Sequence, residues 1–443
     1  MKISYFNTIA THAPKYLTGS VFAGIVGVLM TKYYTSAFSP EEYGILALYL
    51  MMFKYVVSLV SLNLDSGSTR YYFDYRLTKR DEYLSTIFWL ITSMALVVLI
   101  LGLIFMPLIS DWISPRTRII YLVTIGSAIA TVYVSYFTRI LYNEQLSNSV
   151  MKHSIFQTCV NHLSSVLFIS IFRIGILGRM GGQGLGYLMN MISLLREFKV
   201  KNLFILKYSF NKLMAKETVL LTYPSMISTF MGVAFVYLDR VFIKHYMGNS
   251  YVGLYSLGFM LGQGLSLIFE AVSQSILPKV FNDMKDDYAK AISELELFSY
   301  KYYGGLLLIT IVLASLSPFI VRILSNDEYQ QAATVMPMIL AGFMMGGFYK
   351  IPSLVLGFHK VVWFHPFLVV ISFGTNALLN WKFIPESGIM GAAFASFIGL
   401  FIYSLVLQII SAKYMSRKYR TVVFSFYLIV LITLSIFNKE IIL

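Results

Sequence analysis

The sequence predicts an all-α polytopic membrane protein of about twelve transmembrane helices, and two observations carry this prediction. First, apolar stretches follow one another along the chain, each long enough to cross the ~30 Å hydrocarbon core of a bilayer. Second, 57% of the 443 residues are hydrophobic and only 13% are charged, whereas soluble domains are about 25% charged. One water-soluble core is therefore excluded.

Twelve apolar stretches are the predicted spans, six on each side of a basic break at residues 196–217. The spans of the first half are 16–37, 44–64, 85–106, 118–138, 154–172 and 181–195. Those of the second half are 218–238, 251–277, 302–323, 332–357, 362–384 and 388–411. The break predicts two six-helix lobes, residues 1–212 and 213–420. A shorter apolar run at 421–437 leaves a thirteenth span open, so 421–443 is set apart as an extra C-terminal hydrophobic segment.

Basic residues in the loops predict the orientation of the chain. Of the 35 Lys and Arg residues, 23 lie in alternate segments that include the N-terminus, nine lie in the other loops or at the edges of spans, and three lie further inside spans. Because Lys- and Arg-rich loops stay on the cytoplasmic side, we expect the N-terminus in the cytoplasm, with the chain in a bacterial inner membrane. Topology and anionic lipids then explain the net charge of +14, and no nucleic-acid partner is expected.

Charged residues inside the predicted spans are the first candidates for function. A cation at the centre of a span costs roughly 2.5–3.5 kcal/mol on insertion scales, so it usually faces a cavity or a partner. The charged residues within spans or near their ends that stand out are Lys32, Lys54, Asp239, Arg240, Glu270 and Lys350. Local interactions are the alternative: Lys32 snorkelling to the interface, Lys54 pairing with Glu270, and Asp239 pairing with Arg240 or an interfacial neighbour.

The sequence lacks a complete motif for a metal or a nucleotide. Gly178–Gly186 (GRMGGQGLG) follows no predicted strand and does not fit GxxxxGK[ST], so close helix packing is expected there. His153, Cys159 and His162 do not complete a metal-ligand set. We therefore expect neither a metal site nor a cofactor.

Three groups of short motifs occur in a specific order along the twelve predicted spans. They are SPEEYG at 39–44; LDR at 238–240, VGLYS at 252–256 and LP at 277–278; and NALLN at 376–380, IP at 384–385 and GIMGAA at 388–393. In these residues the chain resembles the polysaccharide exporter branch of the multidrug/oligosaccharidyl-lipid/polysaccharide (MOP) superfamily, which includes the O-antigen flippases.

The resemblance implies a MATE/MOP-like fold with two lobes around a central cavity lined by spans one, two, seven and eight. It implies a flippase that moves an undecaprenyl-diphosphate-linked oligosaccharide from the inner to the outer leaflet by alternating access. Phosphate oxygens favour charge-assisted bonds from Lys and Arg. The substrate-cavity candidates are Lys32, Lys54, Arg240, Glu270 and Lys350, and the candidates for proton or sodium coupling are Asp239 and Glu270.

Two other functions stay open at this point. A MATE-like drug/cation antiporter shares the twelve-span frame, although the SPEEYG turn and the motifs at 376–393 favour the polysaccharide branch. An O-antigen polymerase or ligase would bring a large outer loop with catalytic residues, and the predicted outer loops run to about a dozen residues, so we expect no enzyme. The expected partners are the lipid-linked oligosaccharide, membrane lipids and a polysaccharide-assembly protein such as a polymerase.

Overall fold

The computed structural model describes residues 5–75, 79–203, 206, 210–361 and 363–437, and in these residues the chain is helical without a strand. The helices of the first half are α1 (Tyr5–Ala37), α2 (Pro40–Ser61), α3 (Leu64–Tyr75), α4 (Arg80–Ile113), α5 (Arg118–Asn143), α6 (Ser147–Ser170) and α7 (Gly175–Lys201). Those of the second half are α8 (Lys212–Met247), α9 (Asn249–Asp286), α10 (Tyr288–Ser315), α11 (Ser317–Leu324), α12 (Ala332–Phe348), α13 (Lys350–Phe358), α14 (His365–Ser411) and α15 (Arg417–Phe437). The predicted all-α class is confirmed.

Within the described residues, each predicted span lies mainly on helix. Spans 302–323 and 332–357 are each divided between two consecutive helices, α10 with α11 and α12 with α13, and the last two spans share α14. Within the described part of the chain, eight helical segments are long and apolar enough to cross a membrane by length and composition. The chain is therefore a multi-pass membrane protein.

Helix α14 contains two spans because it turns sharply at Gly388. Its 47 residues would extend about 70 Å as one straight helix, more than twice the ~30 Å hydrocarbon core. Gly388 has φ 60° and ψ −140°, a conformation that is accessible to glycine because it has no Cβ. The helical stretch before this residue corresponds to the eleventh predicted span, and the stretch after it corresponds to the twelfth.

The chain divides into two compact units. The first unit comprises residues 1–38 and 45–233, and the second comprises 39–44 and 234–443. The division falls within α8. The assignment of whole spans to lobes stays a prediction.

In the first unit, α6 and α7 pack closely along the glycine-rich run. A Cβ added at Gly182 would lie 2.3 Å from Oγ of Ser165, and one added at Gly186 would lie 3.0 Å from Cβ of Asn161. These glycines are four residues apart, so they share one face of α7. The packing role predicted for this run is confirmed.

In the second unit, polar contacts hold α15 at its start and along its length. The Ser416 backbone N–H and hydroxyl each donate to the Glu296 carboxylate over 2.6 Å, immediately before the helix begins. Further along, Tyr427 and Ser404 share a hydrogen bond of 2.5 Å. The described part of the extra C-terminal segment therefore belongs to the second unit, and residues 438–443 lie outside the described residues.

The SPEEYG motif begins α2 with a reciprocal cap. Ser39 N–H donates to Glu42 Oε2 over 3.0 Å, and Glu42 N–H donates to Ser39 Oγ over 3.3 Å, which is the capping-box arrangement. Pro40 occupies the first helical position and two glutamates lie in the first turn, where negative charge is favourable. The motif thus supplies both the cap and the favourable charges that begin α2.

Candidate functional site

A buried carboxylate, Asp239 of α8, is surrounded by hydrogen-bond donors in the second unit. Its Oδ1 accepts from the side-chain amides of Asn380 at 2.7 Å and Asn376 at 3.2 Å. Its Oδ2 accepts from the hydroxyls of Tyr255 and Ser396, each at 2.5 Å. Asp239 is fully buried, and these four donors compensate for the water that the carboxylate loses.

The turn at Gly388 assembles this cluster from residues that are distant in sequence. Asn376 and Asn380 are four residues apart on α14 and therefore share a helix face. After the turn, the same helix returns with Ser396, whose hydroxyl accepts a 3.2 Å hydrogen bond from Asn376. Sequence reasoning assigned no site role to these three residues, although two Asn residues at helical spacing in an apolar span were the available signal.

Arg240, the next residue in the chain, is also buried, with 4% exposure. Its Nε donates to Ser256 Oγ and its Nη1 donates to the Val236 carbonyl, each over 3.0 Å. Its guanidinium carbon lies 4.7 Å from the ring centroid of Phe259 and 4.8 Å from that of Tyr237. Cation–π contacts of this kind stabilise a desolvated cation. Aromatic rings therefore take the place of the ion pair with Asp239 that was one expected local interaction.

Glu270 of α9 and Lys350 of α13 form an ion pair. Lys350 Nζ lies 2.5 Å from Glu270 Oε1, and it also lies 5.1 Å from the ring centroid of Tyr349. The Lys350 side chain is 16% exposed and that of Glu270 is 45% exposed. The partner of Glu270 is thus Lys350, and both residues are predicted substrate-cavity candidates.

A cavity of about 270 Å³ separates the two charged groups within the second unit. Tyr255 and Ser396, both bonded to Asp239, line part of it, and Glu270 lines another part. Of the two predicted ion-coupling residues, Glu270 therefore lines the cavity, whereas Asp239 lies behind two of its four donors, Tyr255 and Ser396.

The remaining two candidates lie in the first unit. Lys32 of α1 and Lys54 of α2 both have exposed side chains. Lys54 Nζ lies 5.9 Å from the ring centroid of Phe53, and Lys54 forms no hydrogen bond or ion pair with another described residue. A substrate-cavity role for Lys32 and Lys54 stays a prediction.

Comparison with known proteins identifies relatives over most of the chain. A family model described as polysaccharide biosynthesis protein matches residues 15–282. An uncharacterised membrane protein of Methanocaldococcus jannaschii is 22% identical over 426 residues, covering 89% of this chain and 81% of the relative. An uncharacterised membrane protein of Haemophilus influenzae is 22% identical over 290 residues, covering 62% of this chain and 66% of the relative. The chain thus spans just under two thirds of the length of that last relative.

Solved structures with the same fold are transporters. The lipid II flippase MurJ in an inward closed conformation matches with a TM-score of 0.74 and 17% identity, over 97% of this chain and 99% of that chain. An inward-facing multidrug resistance MATE family transporter of the MOP superfamily matches with a TM-score of 0.73 and 12% identity, over 92% and 94% of the two chains. At these identities the likeness shows the fold, which is the MATE/MOP-like fold that the sequence predicts.

Proposed function

The chain belongs to the family of polysaccharide biosynthesis proteins, and on that premise we propose that it is a flippase for a lipid-linked oligosaccharide. Its substrate is an undecaprenyl-diphosphate-linked repeat unit of O-antigen or another surface polysaccharide. The protein moves this lipid by alternating access from the inner to the outer leaflet of the bacterial cytoplasmic membrane, with its N-terminus in the cytoplasm. The observation that carries the proposal is the fold match to a lipid flippase, which covers 97% of this chain. The family of the chain supports the same role.

Exposed lysines of the first unit support recognition of the diphosphate. Lys54 lies on a helix of membrane-spanning length and apolar composition, and its side chain is exposed. Ammonium groups form strong hydrogen bonds with phosphate oxygens, and a lysine retained within a span usually serves a polar pathway. In this proposal Lys54, with Lys32, receives the diphosphate while the polyprenyl tail stays in the lipid.

The membrane potential favours the proposed direction of transport. A diphosphate carries about two negative charges. Moving them outward, away from the negative inside of the membrane, is favourable by roughly 4–5 kcal/mol per 100 mV. Export therefore requires no nucleotide in this proposal.

Asp239 is the proposed site of ion coupling, by either a proton or sodium. A buried carboxylate binds either ion, and the Oδ1 of Asn380, which is next to it, is buried without a hydrogen-bond partner among the described residues. Rotation of the two amides would point their oxygens into the space beside the carboxylate, and oxygen atoms are the ligands of hard cations. Glu270 is the second candidate, and a proton there would break its ion pair with Lys350 and so alter the cavity.

A drug/cation antiporter is the second candidate function. The observation that favours it is the fold match to a multidrug transporter, whose TM-score of 0.73 nearly equals that of the lipid flippase. Family membership favours the polysaccharide role instead, and an enzymatic role as polymerase or ligase is the weakest because the structural relatives are transporters.

A reconstituted system tests the proposal. The purified protein is inserted into liposomes that contain lipid-linked oligosaccharide, and the fraction reached by a membrane-impermeant lectin is followed over time. We expect this fraction to rise faster than in protein-free liposomes, and imposed potential and ion gradients test the coupling. No acceleration, together with uptake of ethidium against a proton or sodium gradient, would replace the flippase with the antiporter.

A further inference from the structure

Aromatic rings form a large part of the walls of the cavity in the second unit. Its volume is about 270 Å³, and the rings that line it come from four helices and the junction between α12 and α13. They include Phe259 and Phe269 of α9, Phe343 of α12, Phe397 of α14 and Tyr349 between α12 and α13. Flat apolar surfaces therefore surround whatever enters.

One side of the same cavity is polar. Gln263, Ser266 and Glu270 line it, and their spacing of three and four residues places them on one face of α9. The Gln263 side chain is exposed, and that of Glu270 is 45% exposed, so the cavity opens to the surface of the unit along this polar face. An amide, a hydroxyl and a carboxylate thus face the rings across a small space.

The positive and negative charges around the cavity balance each other. Arg240 lies 4.7 Å from the ring centroid of Phe259, and Lys350 lies 5.6 Å from that of Phe269. These two cations are matched by two carboxylates, Glu270 within the ion pair and Asp239 behind Tyr255. An organic cation would find no spare negative charge and would compete with protein cations for the ring faces. An uncharged ligand with hydroxyl groups fits these walls better.

We propose that this cavity binds one sugar ring of the lipid-linked oligosaccharide, an inference that rests on the proposed function. Small-molecule sites usually have volumes of about 300–1,000 Å³, so a cavity of about 270 Å³ accommodates a single ring and excludes the complete head group. The C–H face of a sugar carries partial positive charge and packs on the negative face of aromatic rings. Its hydroxyl groups bond to Gln263, Ser266 and Glu270, which makes these residues determinants of which sugar is accepted.

Binding to the purified full-length protein tests this site with three probes. They are the lipid-linked oligosaccharide, undecaprenyl diphosphate without sugar, and the free oligosaccharide released by mild acid, used as competitor. We expect Gln263→Leu and Phe343→Leu to weaken binding of the first probe about three- to tenfold, the loss of about one hydrogen bond or ring contact, and to leave the second unchanged. The matched controls are Gln274→Leu, exposed on the same helix, and Phe367→Leu, whose side chain is 65% exposed.

The outcomes separate the sugar site from the flippase. Equal weakening of both lipid probes by Gln263→Leu, or a wild-type protein that flips substrate but binds both lipids equally, would overturn the sugar site alone. Ethidium binding that depends on the same two residues would assign the cavity to an organic cation. A wild-type protein that flips no lipid-linked oligosaccharide would instead remove the proposed function. Competition by free oligosaccharide on the wild type supports the site even when Phe343→Leu fails to fold.

Discussion

The side-chain amide of Asn380 donates a 2.7 Å hydrogen bond to Oδ1 of Asp239, and both side chains are fully buried. Asn380 also donates to Oδ1 of Asn376 over 3.1 Å, and Asn376 donates to the same carboxylate. The two amides thus bind one carboxylate, and Asn380 also orients Asn376. This relationship joins the motif at 376–380 to the motif at 238–240 in one polar cluster.

Replacing Asn380 tests the importance of that cluster. Asn380→Leu leaves Asp239 with one donor fewer, and a hydrogen bond to a charged group contributes about 1.5–3 kcal/mol. We expect a lower unfolding temperature in detergent and the loss of any ion-gradient dependence of flipping. Asn148→Leu, at an exposed position of α6, is the control. An unchanged unfolding temperature for Asn380→Leu would contradict the role assigned to this amide.

Lys54 is expected to be essential for transport but not for insertion. Lys54→Ala removes an exposed ammonium from α2 without opening a buried site, so the protein should reach the membrane in normal amount. Export should be abolished, measured as loss of surface polysaccharide and accumulation of lipid-linked repeat units, whereas Lys54→Arg should retain part of it. Normal surface polysaccharide in the alanine variant would refute the diphosphate role.

The ion pair of Glu270 and Lys350 should show coupling in a double-mutant cycle. Because the Glu270 side chain is 45% exposed, we expect a coupling free energy near the upper end of the range for exposed pairs, about 0.5–1 kcal/mol. Thermal unfolding of Glu270→Gln, Lys350→Met and the double variant measures it. Strictly additive effects would show that the 2.5 Å contact contributes nothing to stability.

Glu197 predicts a dependence of stability on pH. It lies two residues beyond the sixth predicted span; burial alone would raise its pKa, but hydrogen bonds from Lys201, Ser149 and His153 lower it from 4.5 to about 2. A carboxyl whose folded-state pKa is lowered stabilises the fold above its unfolded pKa and loses this effect as the pH falls through the folded value. The stabilisation should therefore be complete above about pH 4.5 and disappear toward pH 2.

The variant Glu197→Gln checks this prediction. Its unfolding temperature should be lower than that of the wild type at pH 7, and the difference should shrink progressively between pH 4.5 and 2. Glu294→Gln, at an exposed position, should match the wild type throughout. A difference that is constant with pH would mean that the carboxylate charge is not the cause.

Gly44 and Gly253 should not tolerate a side chain. A Cβ added at Gly44 would lie 1.9 Å from the Asn249 carbonyl oxygen, and one at Gly253 would lie 2.0 Å from that of Pro40. We expect Gly44→Ala and Gly253→Ala each to reduce the yield of folded protein in size-exclusion chromatography. Gly232→Ala should be neutral or stabilising by up to about 1 kcal/mol, because among the described residues no atom beyond the adjoining helix backbone lies within 4 Å of the new Cβ.

Amino-acid pattern alone was sufficient for the helices and for the glycine packing of α7. These features follow from local physics, because a chain in lipid must satisfy its backbone hydrogen bonds within each helix, and packing stripes repeat within a few residues. The same pattern also selected the charged residues inside spans, since their cost in a membrane is a property of each residue.

Tertiary structure decided the partners of those charges. Asp239 and Asn380 are 141 residues apart, and Glu270 and Lys350 are 80 apart, so no local pattern contains either contact. Pairing Asp239 with Arg240 was reasonable from adjacency, yet consecutive helical residues point in different directions, and Arg240 lies among rings. Burial explains the rest: a charge removed from water takes the nearest group that compensates for its lost solvation, and only the packed helices determine which group that is.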